Sequence, residues 1–242
     1  MNRIEKIKSI IQQAKHIVFF GGAGVSVPSG IPDFRSAKGI YATKSVGGYS
    51  PEQMVSHSFL IGHPDMFFDF YFKHLVYDQA KPNVVHKWLA SLEKNKQLDA
   101  VVTQNIDGLH QMAGSQNVLE LHGSVHRNYC MKCGKHYRLE ELDRTGVPTC
   151  SCGGMIRPDV VLYEEMLNQD VVEQAIHAIS HADLLIIGGT SLSVYPAASF
   201  IHYYEGKHII VMNKENITNM PYMRYEIFYM DGDIAKSVKS LM

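Results

Sequence analysis

The chain lacks the segments that mark membrane proteins and the charge that marks nucleic-acid-binding proteins. None of its apolar runs approaches the ~18–20 residues that a membrane-spanning helix needs. Its formal net charge is −1, so no basic excess indicates a nucleic-acid-binding face. It also lacks internal repeats and low-complexity linkers. With 242 residues, of which 45% are hydrophobic and 19% charged, it is long enough for one globular domain with a small added module.

Cysteine is absent everywhere except in residues 130–152, which contain Cys130-x-x-Cys133 and Cys150-x-Cys152. Two close pairs are the spacing of a structural zinc site, because tetrahedral Zn²⁺ takes two thiolates from each of two tight turns. The second pair is one residue shorter than C-x-x-C, and two disulfides or four unrelated buried thiols are the alternatives. A closed four-thiolate site has no open position, so the chemistry of the protein must lie elsewhere.

The chain also lacks a recognisable targeting segment. Near its start, apolar residues recur at helical spacing from Ile4 to Ala14 among charged side chains, which predicts an amphipathic helix and not a signal peptide. Reduced, metal-binding thiols are typical of the cytoplasm. We therefore expect a cytoplasmic protein.

Four short apolar runs each lead into a polar or glycine-rich loop. Apolar runs without alternation are typical of strands buried on both faces of a parallel sheet. Helical patterns lie between them, at residues 83–95, 168–181 and 197–204. This order predicts an α/β fold with a Rossmann-like doubly wound parallel sheet and sites at the carboxyl ends of the strands. The four runs are residues 17–20, 100–102, 184–187 and 209–211.

Two segments interrupt the α/β pattern. Residues 36–79 are loop-rich and then dense in aromatic side chains, and residues 123–157 contain the cysteines. We expect the first to form a helical module and the second a zinc-binding module of a smaller, inserted domain. The Rossmann-like domain would then comprise residues 1–35, 80–122 and 158–242.

A glycine-rich loop at residues 21–30 follows the first predicted strand. Its glycines allow close approach of the backbone, and its N–H groups with a helix N-terminus could receive a phosphate. The loop departs from G-x-G-x-x-G because Val27 stands where the third glycine is expected, and it is not a Walker loop. Asp33, Phe34 and Arg35 place an acid, an aromatic ring and a cation just beyond it.

Further polar segments follow the other strands. Asn105 and Asp107 could orient a sugar, a water or a primary amide. His122 lies between them and the cysteines; histidine suits proton transfer near pH 7, although most of the 13 histidines must have ordinary roles. The loop at 188–192 resembles a second nucleotide half-site, and Asn213 could bind ribose.

Together these segments resemble the sirtuin family of NAD-dependent protein deacylases, of the bacterial type. The resemblance follows the family's order and covers nearly the whole chain. It implies NAD as cofactor, one structural zinc ion, and transfer of an acetyl group from lysine to ADP-ribose with release of nicotinamide. The matching segments, besides the cysteine pairs, are GAGVSVPSGIPDFR (22–35), TQNIDGLHQMAG (103–114), LHGS (121–124), RPDVVLYEE (157–165) and GTSLSVYPAAS (189–199).

The resemblance also implies roles for individual residues. His122 would be the general base that accepts a proton from the ribose, and Asn105 and Asp107 would complete the catalytic group. Acyl-lysine proteins would be the substrates. The residues expected to contact NAD are Ala23, Val27, Phe34, Arg35, Gln104, Ile106, Asp107, Thr190, Ser191, Asn213, Asp233 and Ile234.

The expected substrate loop departs from the family pattern at one position. An extended peptide would pair with Val160, Val161 and Tyr163 as an added strand. Glu164 stands where relatives usually have glycine, and we hypothesise that it favours basic residues beside the target lysine.

The expected acyl group follows from a second comparison with the family. Members that prefer succinyl- or malonyl-lysine carry Tyr-x-x-Arg, whose cation pairs with the acyl carboxylate. Here Tyr71 is followed by Lys73 and then by His74 at the arginine position. We therefore expect uncharged acyl groups to be preferred.

Three other functions compete with deacylation. Mono-ADP-ribosyltransfer shares the cleavage of NAD, but the presence of His122, Asn105 and Asp107 argues for deacylation. A zinc-ribbon interaction module on an inert nucleotide-binding scaffold is the alternative outside the enzymes. A dehydrogenase is disfavoured, because the loop is not a Rossmann fingerprint and no acid follows ~20 residues on in the expected context. The sequence does not indicate the protein substrates or the oligomeric state.

Overall fold

A computed structural model describes residues 2–33, 39, 47–214 and 224–242. The strands in these residues are β1 Ile17–Gly21, β2 Leu98–Thr103, β3 Val118–Glu120, β4 Gly123–Cys130, β5 His136–Arg138, β6 Ile156–Val160, β7 Leu184–Gly188, β8 His208–Asn213 and β9 Glu226–Asp231. The α-helices are α1 Arg3–Gln13, α2 Pro51–Met54, α3 His57–Gly62, α4 Pro64–His74, α5 Val84–Lys94, α6 Leu109–Met112, α7 Gln169–His181 and α8 Ile234–Leu241. Short 3-10 helices include Ala23–Val25, Val27–Ser29 and Ala197–Tyr203.

Six strands form one parallel sheet in the order β3-β2-β1-β7-β8-β9. The four predicted strands are β1, β2, β7 and β8, and the predicted Rossmann-like class is confirmed. Strands β3 and β9 are not among the predicted strands: β3 has only three residues, and β9 has a run of four apolar residues between Glu226 and Asp231. The helices predicted at 83–95 and 168–181 are α5 and α7, while the third is the 3-10 helix at 197–203.

Helices cover both faces of this sheet, because alternate side chains of each strand point to opposite faces. Val18 and Phe20 of β1 pack on one side, with Ile179 of α7. Ile17 and Phe19 pack on the other side, with the inner faces of α1, α5 and α8. The five side chains named here are at most 1% exposed, and the burial of each contributes roughly 1.5–3 kcal/mol of hydrophobic free energy.

A second, three-stranded antiparallel sheet has the order β5-β4-β6. Its apolar side packs against the helices α2, α3 and α4. The aromatic run in α4 supplies this core, since Phe67, Phe68, Phe70 and Tyr71 are at most 2% exposed. The aromatic run therefore packs the core of the small sheet and its helices.

Strand pairing bears on the proposed domain boundary at residue 158. Val160, the last residue of β6, lies opposite Gly123 of β4. Residues 158–160 thus belong to the small sheet, and we propose that the large domain resumes after Val160. The division into domains otherwise remains as proposed from the sequence.

Among the helices of the described residues, we find none that is both long and apolar enough to cross a membrane.

Candidate active site and metal centre

The loops that follow β1 and β7 pack backbone against backbone at the carboxyl edge of the large sheet. Gly22 N–H donates to the carbonyl of Gly188 at 3.2 Å, and Gly24 N–H donates to that of Gly189 at 2.8 Å. A Cβ added to Gly24 would lie 2.7 Å from the Cα of Gly189, which real side chains do not permit. The two glycine segments therefore form one continuous surface, and each is needed for the shape of the other.

The glycine loop itself differs from the expected phosphate loop. Within residues 22–30 no α-helix begins; two three-residue 3-10 turns follow each other instead. Pro28 removes a backbone donor, and Gly30 ends the second turn with φ +88°. Ala23 and Val27 lie in these turns. Phe34 and Arg35, also predicted to contact NAD, fall outside the described residues.

Ser26 connects the glycine loop to the polar loop after β2. Its hydroxyl donates to Asp107 Oδ2 at 2.6 Å and accepts from Asn105 Nδ2 at 3.0 Å. Asp107 Oδ1 accepts from Leu109 N–H at 2.9 Å. Burial raises the pKa of Asp107, and the hydrogen bonds from Ser26 and Leu109 oppose that rise. Ser26 was not predicted as a site residue, because it lies inside the GAGVS segment and its partners are far away in the chain.

His126 is a second residue that the sequence analysis missed. Its Nε2 hydrogen-bonds the carbonyl of Asp107 at 3.0 Å. Its ring lies over Gly108, where an added Cβ would be 2.7 Å from His126 Cδ2. Gly108 also has φ +70°, so the loop needs glycine there for its backbone and for the histidine above it.

His122 has a defined tautomer because one of its ring nitrogens faces a backbone carbonyl. His122 Nδ1 lies 3.0 Å from Gln104 O, and a carbonyl can only accept, so Nδ1 carries the proton. Nε2 is then the basic nitrogen. Burial lowers the pKa of His122, and the bond to Gln104 partly offsets this, so the ring is neutral near pH 7.

Gln104 leaves a polar atom without a partner at the end of β2. Its Nε2 is buried and has no hydrogen-bond acceptor among the described residues. An unsatisfied buried donor is costly, and a ribose oxygen would satisfy it. The site therefore fits a ligand of the NAD type.

Ile106, two residues further along, packs against the core of the small domain, and its carbonyl accepts from Val125 N–H at 3.0 Å.

The second glycine loop brings three predicted residues together. Thr190 is buried, and its carbonyl accepts from Asn213 Nδ2 at 3.0 Å. Ser191 is exposed, with its hydroxyl 2.6 Å from that of Ser193. These residues lie at the carboxyl ends of β7 and β8, beside the first glycine loop.

Asp233 and Ile234 lie at the start of α8. The Asp233 carboxylate caps this helix by accepting from Lys236 N–H at 3.0 Å. Ile234 is 5% exposed, and its side chain lies under Gly188. Both side chains thus have structural partners, and contact of this turn with adenine remains a prediction.

The predicted substrate loop is attached to the protein through its own backbone. Val161 N–H donates to the carbonyl of His122 at 3.0 Å. Tyr163 N–H donates to Val55 O at 3.1 Å, and Tyr163 O accepts from His57 N–H at 3.0 Å. These groups are not open to a peptide strand. The Tyr163 ring is 43% exposed, and Val160 is buried at the end of β6.

Glu164 adopts a backbone conformation that favours glycine. Its φ is +75°, in the left-handed region that is strained for a residue with a side chain. Its carboxylate accepts from both Ser58 N–H and Ser58 Oγ at 2.9 Å, at the start of α3. These bonds offset the strain and occupy the carboxylate that we expected to attract basic substrate residues.

Glu165 holds the loop to β6 and α3. Its carboxylate forms an ion pair with Arg157, accepts from Leu162 N–H at 2.9 Å, and accepts from His57 Nδ1 at 2.8 Å. Burial would raise the pKa of Glu165, but these partners outweigh it and lower the pKa to about 2. Arg157 is buried and also donates to Val160 O at 3.0 Å.

Tyr71 and His74, the Tyr-x-x-His pair, lie on α4. The Tyr71 side chain is fully buried, and burial raises its pKa far above the usual range. The His74 ring packs 4.6 Å from the Phe70 ring and lines a cavity of about 380 Å³ with Asp65 and Lys73.

The four cysteines meet the geometric requirements of a zinc site. Their Sγ atoms all lie within 4.8 Å of one another; Cys130 and Cys152 are 3.5 Å apart, and Cys133 and Cys150 are 3.7 Å apart. Zn–S bonds of ~2.3 Å in a tetrahedron place sulfurs about 3.8 Å apart, and all four thiols are free of disulfides. Tyr137 donates its hydroxyl to Cys150 Sγ at 3.0 Å, which orients that ligand from outside.

Known proteins are similar to this chain over most of its length. The sequence profile of the Sir2 family matches residues 22–196. An NAD-dependent protein deacetylase of Clostridium perfringens (strain 13 / Type A) is 57% identical over 218 residues, which are 89% of each chain. One from Staphylococcus aureus (strain N315) is 46% identical over 242 residues, 100% of this chain and 98% of its own.

Solved structures agree in fold. A Sir2 protein with a peptide and NAD⁺ superposes with a TM-score of 0.82 at 35% identity, over 100% of this chain and 98% of its own. A Sir2 protein bound to a propionylated peptide gives a TM-score of 0.83 at 34% identity, with the same coverage of 100% and 98%.

Proposed function

The chain belongs to the Sir2 family of NAD-dependent protein deacetylases, and on that premise we infer that His122, Asn105 and Asp107 form its catalytic group. The enzyme moves the acetyl group of a lysine side chain onto ADP-ribose and releases nicotinamide. NAD, when bound, supplies an electrophilic ribose carbon and nicotinamide as the leaving group. The residues of the chain must bind and orient the reactants, exclude water and move a proton.

The observation that carries this assignment is the hydrogen bond from His122 Nδ1 to Gln104 O at 3.0 Å. It fixes the ring and leaves Nε2 unprotonated, while burial keeps the imidazole neutral by lowering its pKa. A neutral, oriented imidazole can accept the ribose hydroxyl proton. General-base assistance of this kind contributes roughly 10²–10⁴-fold in rate.

Asp107 and Asn105 act together through Ser26. An ionised carboxylate only accepts hydrogen bonds, so Asp107 suits the N–H of the nicotinamide carboxamide. The Ser26 hydroxyl, bonded to both side chains, fixes their spacing. This preorganisation lets the loop bind the leaving group without rearranging.

The dinucleotide would lie along the two packed glycine segments. The buried donor of Gln104 supports a ribose contact there, and Thr190, Ser191 and Asn213 line the second half. The remaining proposed contacts, carried over from the sequence, are Ala23, Val27, Phe34, Arg35, Ile106, Asp233 and Ile234.

Acyl-lysine proteins are the proposed substrates, because Sir2 structures similar to this chain contain acetylated and propionylated peptides. We propose that uncharged acyl groups are preferred, since His74 replaces an arginine that would pair with an acyl carboxylate. The exposed ring of Tyr163 and the side of Val161 would face the peptide. We propose the cytoplasm as the location, on the ground of the reduced thiols that zinc requires.

The assignment of His122 is tested by mass spectrometry of an acetyl-lysine peptide incubated with NAD and the enzyme. We expect deacetylated peptide with stoichiometric acetyl-ADP-ribose, and a loss of at least ~100-fold in rate for His122→Ala. The exposed residue His202 provides the matched control, and His202→Ala should retain full activity. ADP-ribose attached to protein without deacetylation would identify a transferase instead, and an active His122→Ala enzyme would exclude His122 as the base.

A further inference from the structure

The first residues of helix α5 lie directly behind the glycine loop. Asn83 caps this helix, with its Oδ1 accepting from Val85 N–H at 2.8 Å. Its Nδ2 points the other way and donates to Val25 O and to Ser29 Oγ, both at 2.8 Å. One amide group thus serves the helix with its oxygen and the glycine loop with its nitrogen.

The loop is held from its front as well as from its rear. Ser26, between the two acceptors of Asn83, is bonded to Asp107 and Asn105 on the side of the proposed NAD site. Val25 and Ser26 are at most 1% exposed, so this segment is fixed between the active-site loop and α5. The 3-10 turns on both sides of Ser26 have only three residues each, and 3-10 hydrogen bonds have poorer geometry than those of an α-helix, so we expect outside contacts to contribute to the shape of these turns.

Asn83 is itself held by a second buried residue. Its backbone N–H donates to His86 Nδ1 at 3.2 Å, which completes a capping box. The His86 ring packs 4.7 Å from the ring of His110, in the helix that begins two residues after Asp107. The start of α5 therefore touches both loops of the proposed NAD site.

We propose that Asn83 is a positioning residue for NAD binding, whose side-chain amide holds the glycine loop in the shape that receives the dinucleotide. Asn83 does not touch the reactants; it acts through Val25 and Ser29. The inference rests on the proposed function and adds a residue that the motif comparison did not single out.

Asn83→Asp separates the two tasks of the side chain. Aspartate keeps an oxygen for Val85 N–H and is as good a helix cap as asparagine, but it cannot donate to Val25 O or Ser29 Oγ. We expect KM for NAD and the dissociation constant for ADP-ribose to rise at least tenfold, because both part-buried hydrogen bonds that Asn83 Nδ2 donates to the loop are lost and the carboxylate repels the carbonyl oxygen of Val25. KM for the acetylated peptide should change less than twofold, and Tm by less than about 3 °C. Ser29→Ala, which removes one acceptor, should shift the same constants by a smaller factor.

The matched control is Asn168→Asp, the same change at the cap of α7. Asn168 Oδ1 accepts from Val171 N–H at 3.2 Å, and α7 lies on the opposite face of the sheet. This variant should bind NAD and ADP-ribose as the wild type does.

Two results would overturn the proposal. One is an Asn83→Asp protein with unchanged KM for NAD and unchanged affinity for ADP-ribose. The other is an equal rise of both KM values with a large fall in Tm, which would show a role in stability alone. Calorimetric binding of ADP-ribose needs no turnover. A wild-type protein that binds ADP-ribose without deacetylating the peptide would refute the proposed activity. The effect of Asn83→Asp on ADP-ribose binding would still test the role of Asn83.

Discussion

His86 and His110 illustrate how burial sets the charge of single residues. Their rings lie side by side with at most 1% exposure, and His110 has no hydrogen-bond partner for either nitrogen among the described residues. Burial lowers the pKa of His86 to about 4 and that of His110 to about 3, the latter also because of His86. Both rings are therefore neutral throughout the physiological range.

This pair should make the protein sensitive to acid. In the unfolded chain both histidines titrate near pH 6.5, whereas in the folded protein they stay neutral to about pH 4. The unfolded state thus binds more protons as the pH falls from 6.5 to 4, and the free energy of unfolding drops by up to about 1.4 kcal/mol per pH unit for each histidine. Urea unfolding across this range measures the slope.

The variant for this test is His110→Asn, whose slope between pH 6.5 and 4 should be smaller than that of the wild type. His136→Asn, at an exposed histidine, is its control and should leave the slope unchanged. Equal slopes in wild type and His110→Asn would contradict the assignment.

Tyr137 gives a second prediction for a single residue, at the zinc site. Its hydroxyl donates to Cys150 Sγ at 3.0 Å. This hydrogen bond, followed by burial and the negative sulfurs nearby, raises the pKa of Tyr137 to about 12. Tyr137→Phe keeps the ring and removes this bond, so the dissociation constant for zinc should rise roughly tenfold. Competition with a chromophoric chelator measures the constant. Tyr203→Phe, at an exposed tyrosine, should not change it; wild-type affinity in Tyr137→Phe would show that the bond is not needed.

At the scale of elements, the loop after β6 is held at several points to α3. Glu164 accepts from Ser58, Glu165 pairs with Arg157 and His57, and Tyr163 exchanges backbone bonds with Val55 and His57. The shape of the loop therefore depends on side chains that do not face the peptide.

Glu165→Gln should weaken peptide binding more than NAD binding. The change leaves the guanidinium of Arg157 buried without its counter-charge, which is costly and loosens the loop. We expect KM for the acetylated peptide to rise about tenfold and KM for NAD to change less than twofold. Steady-state kinetics with each substrate varied in turn measures both.

The control for this prediction is Glu173→Gln, at an exposed acid of α7. It should leave both constants unchanged. Equal effects of Glu165→Gln on the two KM values would indicate that the ion pair supports the whole molecule and not the loop.

At the scale of the molecule, His122, the proposed general base, lies where the two sheets meet. His122 lies between β3 of the large sheet and β4 of the small one, and its carbonyl binds Val161 after β6. The zinc cysteines lie at the far end of the same β4 strand and beside β6. We therefore expect the metal to influence activity through the small sheet.

Removal of zinc should inactivate the enzyme without unfolding the large sheet. A strong chelator is expected to abolish deacetylation and to lower protection of the 123–160 amides from hydrogen exchange, because metal binding supplies folding free energy. The amides of β1, β2, β7 and β8 should stay protected, since their cores are separate from the cysteine cluster. Full activity of the zinc-free protein would contradict this coupling.

The sequence by itself determined the features that depend on residues close together in the chain. The zinc ligands were predictable because four thiols repeat at short spacing, and β1, β2, β7 and β8 because each is an unbroken apolar run. Asn105 and Asp107 were proposed as site residues because they follow a predicted strand, and the carboxyl ends of parallel strands share one edge. His122 was proposed because it lies between this polar segment and the cysteines. The resemblance to a known family supplied the reaction.

Only the tertiary structure decided the contacts between distant segments. It joined Ser26 to Asp107, set the Asn83 amide behind the glycine loop, and gave Glu164 a left-handed backbone stabilised by Ser58. It also added the two edge strands of the large sheet, β3, which has only three residues, and β9, whose side chains are mostly half-buried. Such features depend on partners that are remote in the chain. A local pattern of residue types therefore does not predict them.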